Sequence, residues 1–167
     1  MKTAKYKNFK IKEIFDLEKS YEITNIVDDF KFDNGVTGTN MAFKIFDGDC
    51  ITFSLTGNGN VFYQNKKFQA HSTSLIVLKE HELNVVRNMK MGEEVGLYYV
   101  TILKKCCENR SLGRDEYSPE TIANWEIGLP VNRFGFVDYP YIIDYMNGVM
   151  KKVAANIGGT KCVTMAQ

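Results

Sequence analysis

Between Met41 and Lys79 the chain repeats one device: a short run of β-forming residues, then a glycine turn. Met41–Ile45, CITFSL at 50–55, NVFYQ at 60–64 and TSLIVLK at 73–79 are the runs. Asp47-Gly48-Asp49 and Gly57-Asn58-Gly59 are the turns between the first three. Strand signals at a spacing of about 8–12 residues predict a small antiparallel meander, with the two turns closing hairpins. The last run is more continuously apolar, which predicts a central strand. Upstream, FKIKEIF at 9–15 alternates and predicts a strand or strand-turn with Phe9 and Ile11 on one face. SYEITNIVDDFK at 20–31 reads as a strand and its following loop, and DNGVTGTN at 33–40 as turn chemistry.

The period changes after Glu93. Val95, Leu97, Tyr98, Val100, Ile102 and Leu103 fit a helix with a wide buried face over 93–107, opened by Glu93 and Glu94 and closed by Lys104 and Lys105. Ser118-Pro119-Glu120 starts a short helix through Asn124, and WEIGL at 125–129 is a last strand ended by Pro130. A second long helix is expected over about 141–157, stopped by Gly158-Gly159. Its apolar residues Ile142, Met146, Val149 and Val153 recur at +4, +3, +4, a seam of about two heptads. That seam fits packing on its own domain or on a second copy.

The expected fold is therefore α+β: a small twisted, mostly antiparallel sheet or partial barrel with packed helices, followed by a C-terminal helix. The division expected is a domain at 1–136, the helix at 137–157 and a loose tail at 158–167. Eleven Phe and nine Tyr give bulk to a core of this size.

Several chemistries lack their residues. There is no Gly-Lys-Ser/Thr phosphate loop, and Gly57-Asn58-Gly59 has Phe62 where a dinucleotide fingerprint needs its third glycine. No Gly-x-Ser-x-Gly elbow occurs. The prolines, at 119, 130 and 140, cannot form the Pro-Pro of an adenine methyltransferase motif. Cys50, Cys106, Cys107 and Cys162 include no Cys-x-x-Cys, and His71 and His81 lie away from them, so no metal and no cofactor is expected. Asp28-Asp29 is an acidic pair, but adjacent strand residues point to opposite faces, so it reads as a solvated turn. No secretory signal and no stretch of ~20 apolar residues is present, so no membrane partner and a cytosolic location are expected.

Net charge is +1, and total charge announces no polyanion. Its distribution is uneven: residues 1–12 carry Lys2, Lys5, Lys7, Lys10 and Lys12 with no acid, and 104–114 carry Lys104, Lys105, Arg110 and Arg114 against Glu108. Such clusters can bind phosphate, or can be solvated ends.

Taken in order, the segments FKIKEIFDLEKS, DNGVTGTN, KIFDGDCITFSLTGNGNVFYQNKKF, LYYVTILKK, EYSPETIANWEIGLP and FGFVDYPYIIDYMNGVM resemble the target recognition domain of Type I restriction–modification specificity subunits, and the similar specificity domains of Type II enzymes. The resemblance runs over about residues 9–157. It departs from the family at Leu17-Glu18-Lys19-Ser20, where a glycine opens the first loop elsewhere, and in having one domain and one helix. The resemblance implies a non-catalytic module that reads one half of a bipartite site in double-stranded DNA. Its partners would be a DNA methyltransferase subunit and a motor or endonuclease subunit, with pairing to itself or to another half-subunit.

On that reading the base-reading candidates are Thr37, Thr39, Asn40, Asn58, Asn60 and Gln64, with Tyr63 if it points outward of the Phe62/Tyr63 pair. Asn and Gln can pair two atoms of an adenine edge. Equally, turn residues of these types bond their own backbone. The phosphate candidates are Lys44, Lys66, Lys67, Arg110 and Arg114. A competing reading is an α+β protein-interaction module that uses the seam of its C-terminal helix and binds no DNA. A small hydrolase or a sugar-binding domain has only the aromatic content behind it.

Overall fold

The computed structural model describes residues 4–27, 36–56, 60–81, 91–109 and 117–158. Strand β1 (Lys5–Lys10) pairs antiparallel with β10 (Glu126–Val131), from Lys5 opposite Val131 to Lys10 opposite Glu126. Of the two readings of 9–15, a strand or a strand-turn, the structure has the second: Phe9 and Lys10 end β1 and a turn follows. After β1, Ile11–Ile14 form a single helical turn, α1, because the Glu13 carboxylate accepts the Lys10 N–H at 2.5 Å. Ile11 and Ile14, three apart, then share one buried side of that turn.

Strand β2 (Phe15–Lys19) begins the main sheet, whose order is β2-β9-β6-β7 with every neighbour antiparallel. Here β6 is Cys50–Ser54, β7 is Val61–Gln64 and β9 is Leu75–Glu80. β9 is interior, as its apolar run predicts. Ile76 and Leu78 belong to the main core, while Val77 belongs to a smaller one with Phe46, Cys50 and Ala70. Two cores on opposite faces of one strand explain why Ile76, Val77 and Leu78 are apolar without alternation. Burial pushes the Cys50 thiol up to about 11, so it stays protonated as a small apolar group.

Helix α2 (Glu93–Asn109) covers the main core with Val95, Tyr99 and Leu103, each one turn apart. Ser118 caps α3 (Pro119–Ala123) by accepting the Thr121 N–H at 3.1 Å, and Ile122 fills the core behind it. Helix α4 (Tyr139–Gly158) starts two residues before the expected point, because Asp138 accepts the Tyr141 N–H at 3.2 Å. Its Ile142 and Met146 are buried, and α4 packs against α2. From Lys151 to Ile157 every residue is exposed.

Four expectations need correction. Residues 36–40 are not a turn: they lie in β4 (Val36–Phe43), paired with β3 (Tyr21–Val27). Val36, Thr37 and Thr39 are β-formers, and β3 gives them a partner that local turn chemistry cannot outweigh. Met41–Ile45 is not one strand, because the chain changes partner at Lys44. Its N–H donates to Ser20 O (2.9 Å) and its carbonyl accepts the Ala70 N–H (3.1 Å), after which β5 (Ile45–Phe46) pairs with β8 (Phe68–Gln69). Asp47-Gly48-Asp49 is therefore a corner between two sheets, not a hairpin. Gly48 takes φ +97°, with its Cα against the Lys66 backbone, so a Cβ there would lie 2.8 Å from the Lys66 carbonyl carbon.

The fourth is Pro130, which lies inside β10 opposite Tyr6. β10 has one strand neighbour among the described residues, and alternate N–H groups point away from it, so a proline fits. The class is α+β with antiparallel pairing throughout; the described strands form one four-stranded sheet and three two-stranded pairs, not a closed barrel. Asn34-Gly35, Asp28-Asp29 and the expected tail beyond Gly158 lie outside the described residues. No described helix is long and apolar enough to cross a membrane.

Candidate nucleic-acid interface

The ribbon β3–β4 is fixed at one end, and its described side chains beyond that end, 22–24 and 39–42, are exposed. Its root is Ser20, fully buried, whose hydroxyl donates to Ser72 O (2.6 Å) and whose N–H donates to Leu75 O (3.3 Å). Phe43, half-buried, lies with its ring centroid 5.9 Å from that of His71. Beyond this root the register puts Thr24 opposite Asn40 and Glu22 opposite Ala42 on one face, and Ile23 opposite Met41 on the other. All six side chains are exposed. Thr39 is exposed one step farther out, opposite Asn25. A two-stranded ribbon is one of the two elements whose width suits the DNA major groove.

A second locus is the turn after β7. Asn65, Lys66 and Lys67 are exposed, and the Gly48 corner packs on the Lys66 backbone. Lys67 lies 3.7 Å from Asp47, a solvent-exposed pair worth at most ~1 kcal/mol, so its ammonium stays available. Asn60 is exposed where β7 begins, and its carbonyl accepts the Ser54 N–H at 2.9 Å.

Three candidates are held inward instead. Phe62 is the outward member of its pair, with Lys104 Nζ 5.1 Å above its ring. Tyr63 faces α2, and its hydroxyl hydrogen is shared between Asp49 Oδ1 (2.8 Å) and Met91 O (3.1 Å). Burial, then the bond to Asp49 and repulsion by its charge, raise that phenol well above its ordinary range. Gln64 donates to Thr52 Oγ1 at 3.1 Å, over a threonine that is itself buried. Lys44, 3.0 Å from Glu18 Oε1, shares that carboxylate with Lys79, 2.7 Å from Oε2. Burial raises the Glu18 carboxyl, but hydrogen bonds from Lys79 and Lys44 and their charges outweigh it and leave the group below 4.5.

Thus the structure brings Thr39 and Asn40 onto one exposed ribbon and Lys66 and Lys67 onto one exposed turn. It commits Lys44, Tyr63 and Gln64 to internal partners. Thr37 is a β4 residue whose side chain lies outside the described set, as do Asn58, Arg110 and Arg114 entirely. Sequence reasoning missed Thr24, which only the β3–β4 register brings opposite Asn40. Among the described residues no three His, Cys, Asp or Glu side chains cluster as a metal site would require.

No curated protein matches the chain by sequence. The solved S subunit of a Type I restriction–modification system from M. genitalium superposes with a TM-score of 0.57 at 16% identity, covering 93% of this chain and 41% of that one. The HsdS subunit of Thermoanaerobacter tengcongensis gives 0.52 at 14%, covering 95% and 40%. A chain from a structure on complex assembly and conformational transition of the type I R-M system gives 0.53 at 17%, covering 90% and 39%. At such identities the likeness is one of fold, and the chain spans about two-fifths of the length of each. The sequence itself matches the family model for the Type I restriction modification DNA specificity domain over residues 4–133, from the first described residues through the end of β10. With that match covering most of the chain and the fold agreeing, the chain belongs to the Type I restriction modification DNA specificity domain family.

Proposed function

We infer that the chain is the recognition part of a restriction–modification enzyme and reads one part of the DNA target by laying the β3–β4 ribbon in the major groove. The family is one of DNA specificity domains, a non-catalytic component of these systems. The observation that carries the reading is the ribbon: rooted at Ser20 and Lys44, polar on its Thr24/Asn40 face, and exposed at Glu22–Thr24 and Thr39–Ala42. Asn40 and Thr39 are the described base readers; Thr37, two residues before Thr39 in β4, and Asn58, between β6 and β7 in sequence, are further candidates. Lys66 and Lys67 supply phosphate contacts that fix register. Asn60, at the opposite end of β7 from that turn, is a further base-reading candidate. Arg110 and Arg114 would add charge after α2.

In this role the chain directs a partner methyltransferase subunit, and through it a motor or endonuclease subunit, to a site it does not itself modify. Half of the expected assembly seam is already used: Ile142 and Met146 pack on α2, leaving Val149, half-buried, and Val153, exposed, for pairing with a second copy or another half-subunit.

The test is selection of bound duplexes from a random pool, followed by titration of Asn40→Ala and Thr39→Ala against selected and scrambled DNA. A loss of ~1–3 kcal/mol confined to the selected duplex is expected for a bidentate reader. An equal loss on both duplexes removes the ribbon as the reader, and failure of the wild-type chain to enrich any sequence removes the reading.

A further inference from the structure

The turn between β10 and α4 holds two phenylalanines away from the protein by a set of backbone bonds. The Asn132 side-chain oxygen accepts the N–H groups of Phe134 (2.9 Å) and Phe136 (3.3 Å). The Asn132 carbonyl accepts the Gly135 N–H (3.0 Å), and its N–H donates to Phe136 O (2.9 Å). A Val131–Val137 bridge and the bond from Asp138 N–H to Pro130 O (2.9 Å) close the base. Gly135 takes φ +82°, the left-handed conformation that lets the turn reverse between the two rings, and nothing lies within 4 Å of where its Cβ would be. Phe134 and Phe136 are 68% and 70% exposed.

These bonds commit the backbone of the turn, so the turn itself sets where the two rings leave the chain. Arg133 lies with its guanidinium carbon 4.6 Å above the Phe134 ring, which holds the cation beside the pair. Lys5, exposed, is opposite Val131 at the base of the turn. A basic rim fits a carboxylate or a phosphate equally. The rings decide between them. Apolar surface gains only against an apolar surface, which a protein cleft offers and a phosphate-sugar wall does not. On DNA two such rings would have to enter base steps at the cost of unstacking them. Rigid presentation also removes the ordering cost of docking.

We propose that Phe134 and Phe136 are paired anchors by which the chain docks on its methyltransferase partner, in an apolar cleft whose rim carries carboxylates toward Arg133 and Lys5. This rests on the reading that the chain serves a methyltransferase, and the turn springs from β10 rather than from the ribbon, so the two functions are separable. The test uses the full chain, the purified methyltransferase subunit of the same system and the selected duplex. Phe134→Ala and Phe136→Ala should each weaken methyltransferase binding ~10-fold, the double variant ~100-fold, and Arg133→Glu several-fold. DNA affinity and the thermal midpoint of the isolated chain should not change, since both rings are solvent-exposed. Full methyltransferase affinity in the double variant overturns the proposal. So does a loss of DNA affinity with methyltransferase binding kept, which makes the turn a DNA wedge. A wild-type chain that binds DNA but not the methyltransferase overturns the proposal alone; one that binds neither removes the underlying reading as well.

Discussion

The ring of Tyr63 occupies the space in which a side chain on Gly96 would begin: a Cβ built there lies 2.3 Å from Tyr63 Cδ2. The edge strand β7 can approach α2 this closely only at that glycine, and the approach delivers the Tyr63 hydroxyl to Asp49 and to Met91 O.

Gly96→Ala is therefore expected to destabilise the chain, although alanine is the better helix former by ~1 kcal/mol. Overpacking against a ring with its hydroxyl tied at the far end should cost ~1–3 kcal/mol. Urea unfolding gives the difference. Tyr63→Ala should make the alanine at 96 harmless or helpful, and a Gly96→Ala chain as stable as the parent with Tyr63 intact would contradict this packing.

Two buried-edge carboxylates should bend the pH dependence of stability in opposite directions. Glu80, at the end of β9, accepts the Tyr99 hydroxyl at 3.1 Å and a short bond from Tyr139, and so ties β9 to α2 and α4. Burial raises its carboxyl above 4.5, and the two tyrosine bonds only partly offset that. The folded chain thus holds this proton more tightly than the unfolded one. The contribution of Glu80 is complete below 4.5 and is lost as pH rises through the raised folded value. Glu18 is the reverse case, lowered in the fold: its contribution is present above 4.5 and is lost as pH falls through the folded value. Thermal midpoints from pH 3 to 8 should show Glu80→Gln flattening the decline on the upper side and Glu18→Gln flattening the decline on the acid side. Identical profiles for both variants would mean that neither environment is as described.

How much of this was legible beforehand follows from how local each cause is. The switch to helical spacing at Glu93, the Ser118-Pro119 cap and the interior run of β9 are each written within a few consecutive residues, and each gives its element. Lys44 is different. It leaves β4 for β5 because Ser20 and Ala70 are waiting on either side, 24 and 26 residues away in sequence, and no local pattern contains that. The same holds for the ribbon: Val36–Asn40 looks like turn chemistry until β3 is laid beside it. Among the candidate site residues, type alone picked Asn and Gln, and burial then separated them. Asn40 stands in solvent, while Gln64 lies over Thr52.

Salt dependence tests the turn after β7. Log affinity against log salt should fall with a slope near ~−4 for four or five phosphate contacts. Replacing Lys66 and Lys67 by Ala should flatten it by up to ~1.8 for all DNA sequences alike. An unchanged slope would remove both lysines from the interface.

Self-association through α4 is checked at its exposed end. Met146 packs inward, so a charge there would disturb the fold itself. Val153 and Ile157, 50% and 71% exposed, are the informative positions. If the helix pairs, the native chain at micromolar concentration should have a dimer's mass, and Val153→Glu with Ile157→Glu should return it to a folded monomer whose thermal midpoint no longer depends on concentration. A native chain that is monomeric with and without DNA and the methyltransferase would end the pairing model.

If the ribbon reads the target as proposed, its root separates folding from target choice. Ser20 and Lys44 hold β3–β4 through backbone atoms and one buried hydroxyl, while Glu22, Ile23, Thr24, Asn40, Met41 and Ala42 project from it into solvent. Substitutions at those six positions would alter what the ribbon touches while leaving the bonds that anchor it in place. A lineage carrying such a domain could exchange one target sequence for another through single changes there, each intermediate folding as well as its parent.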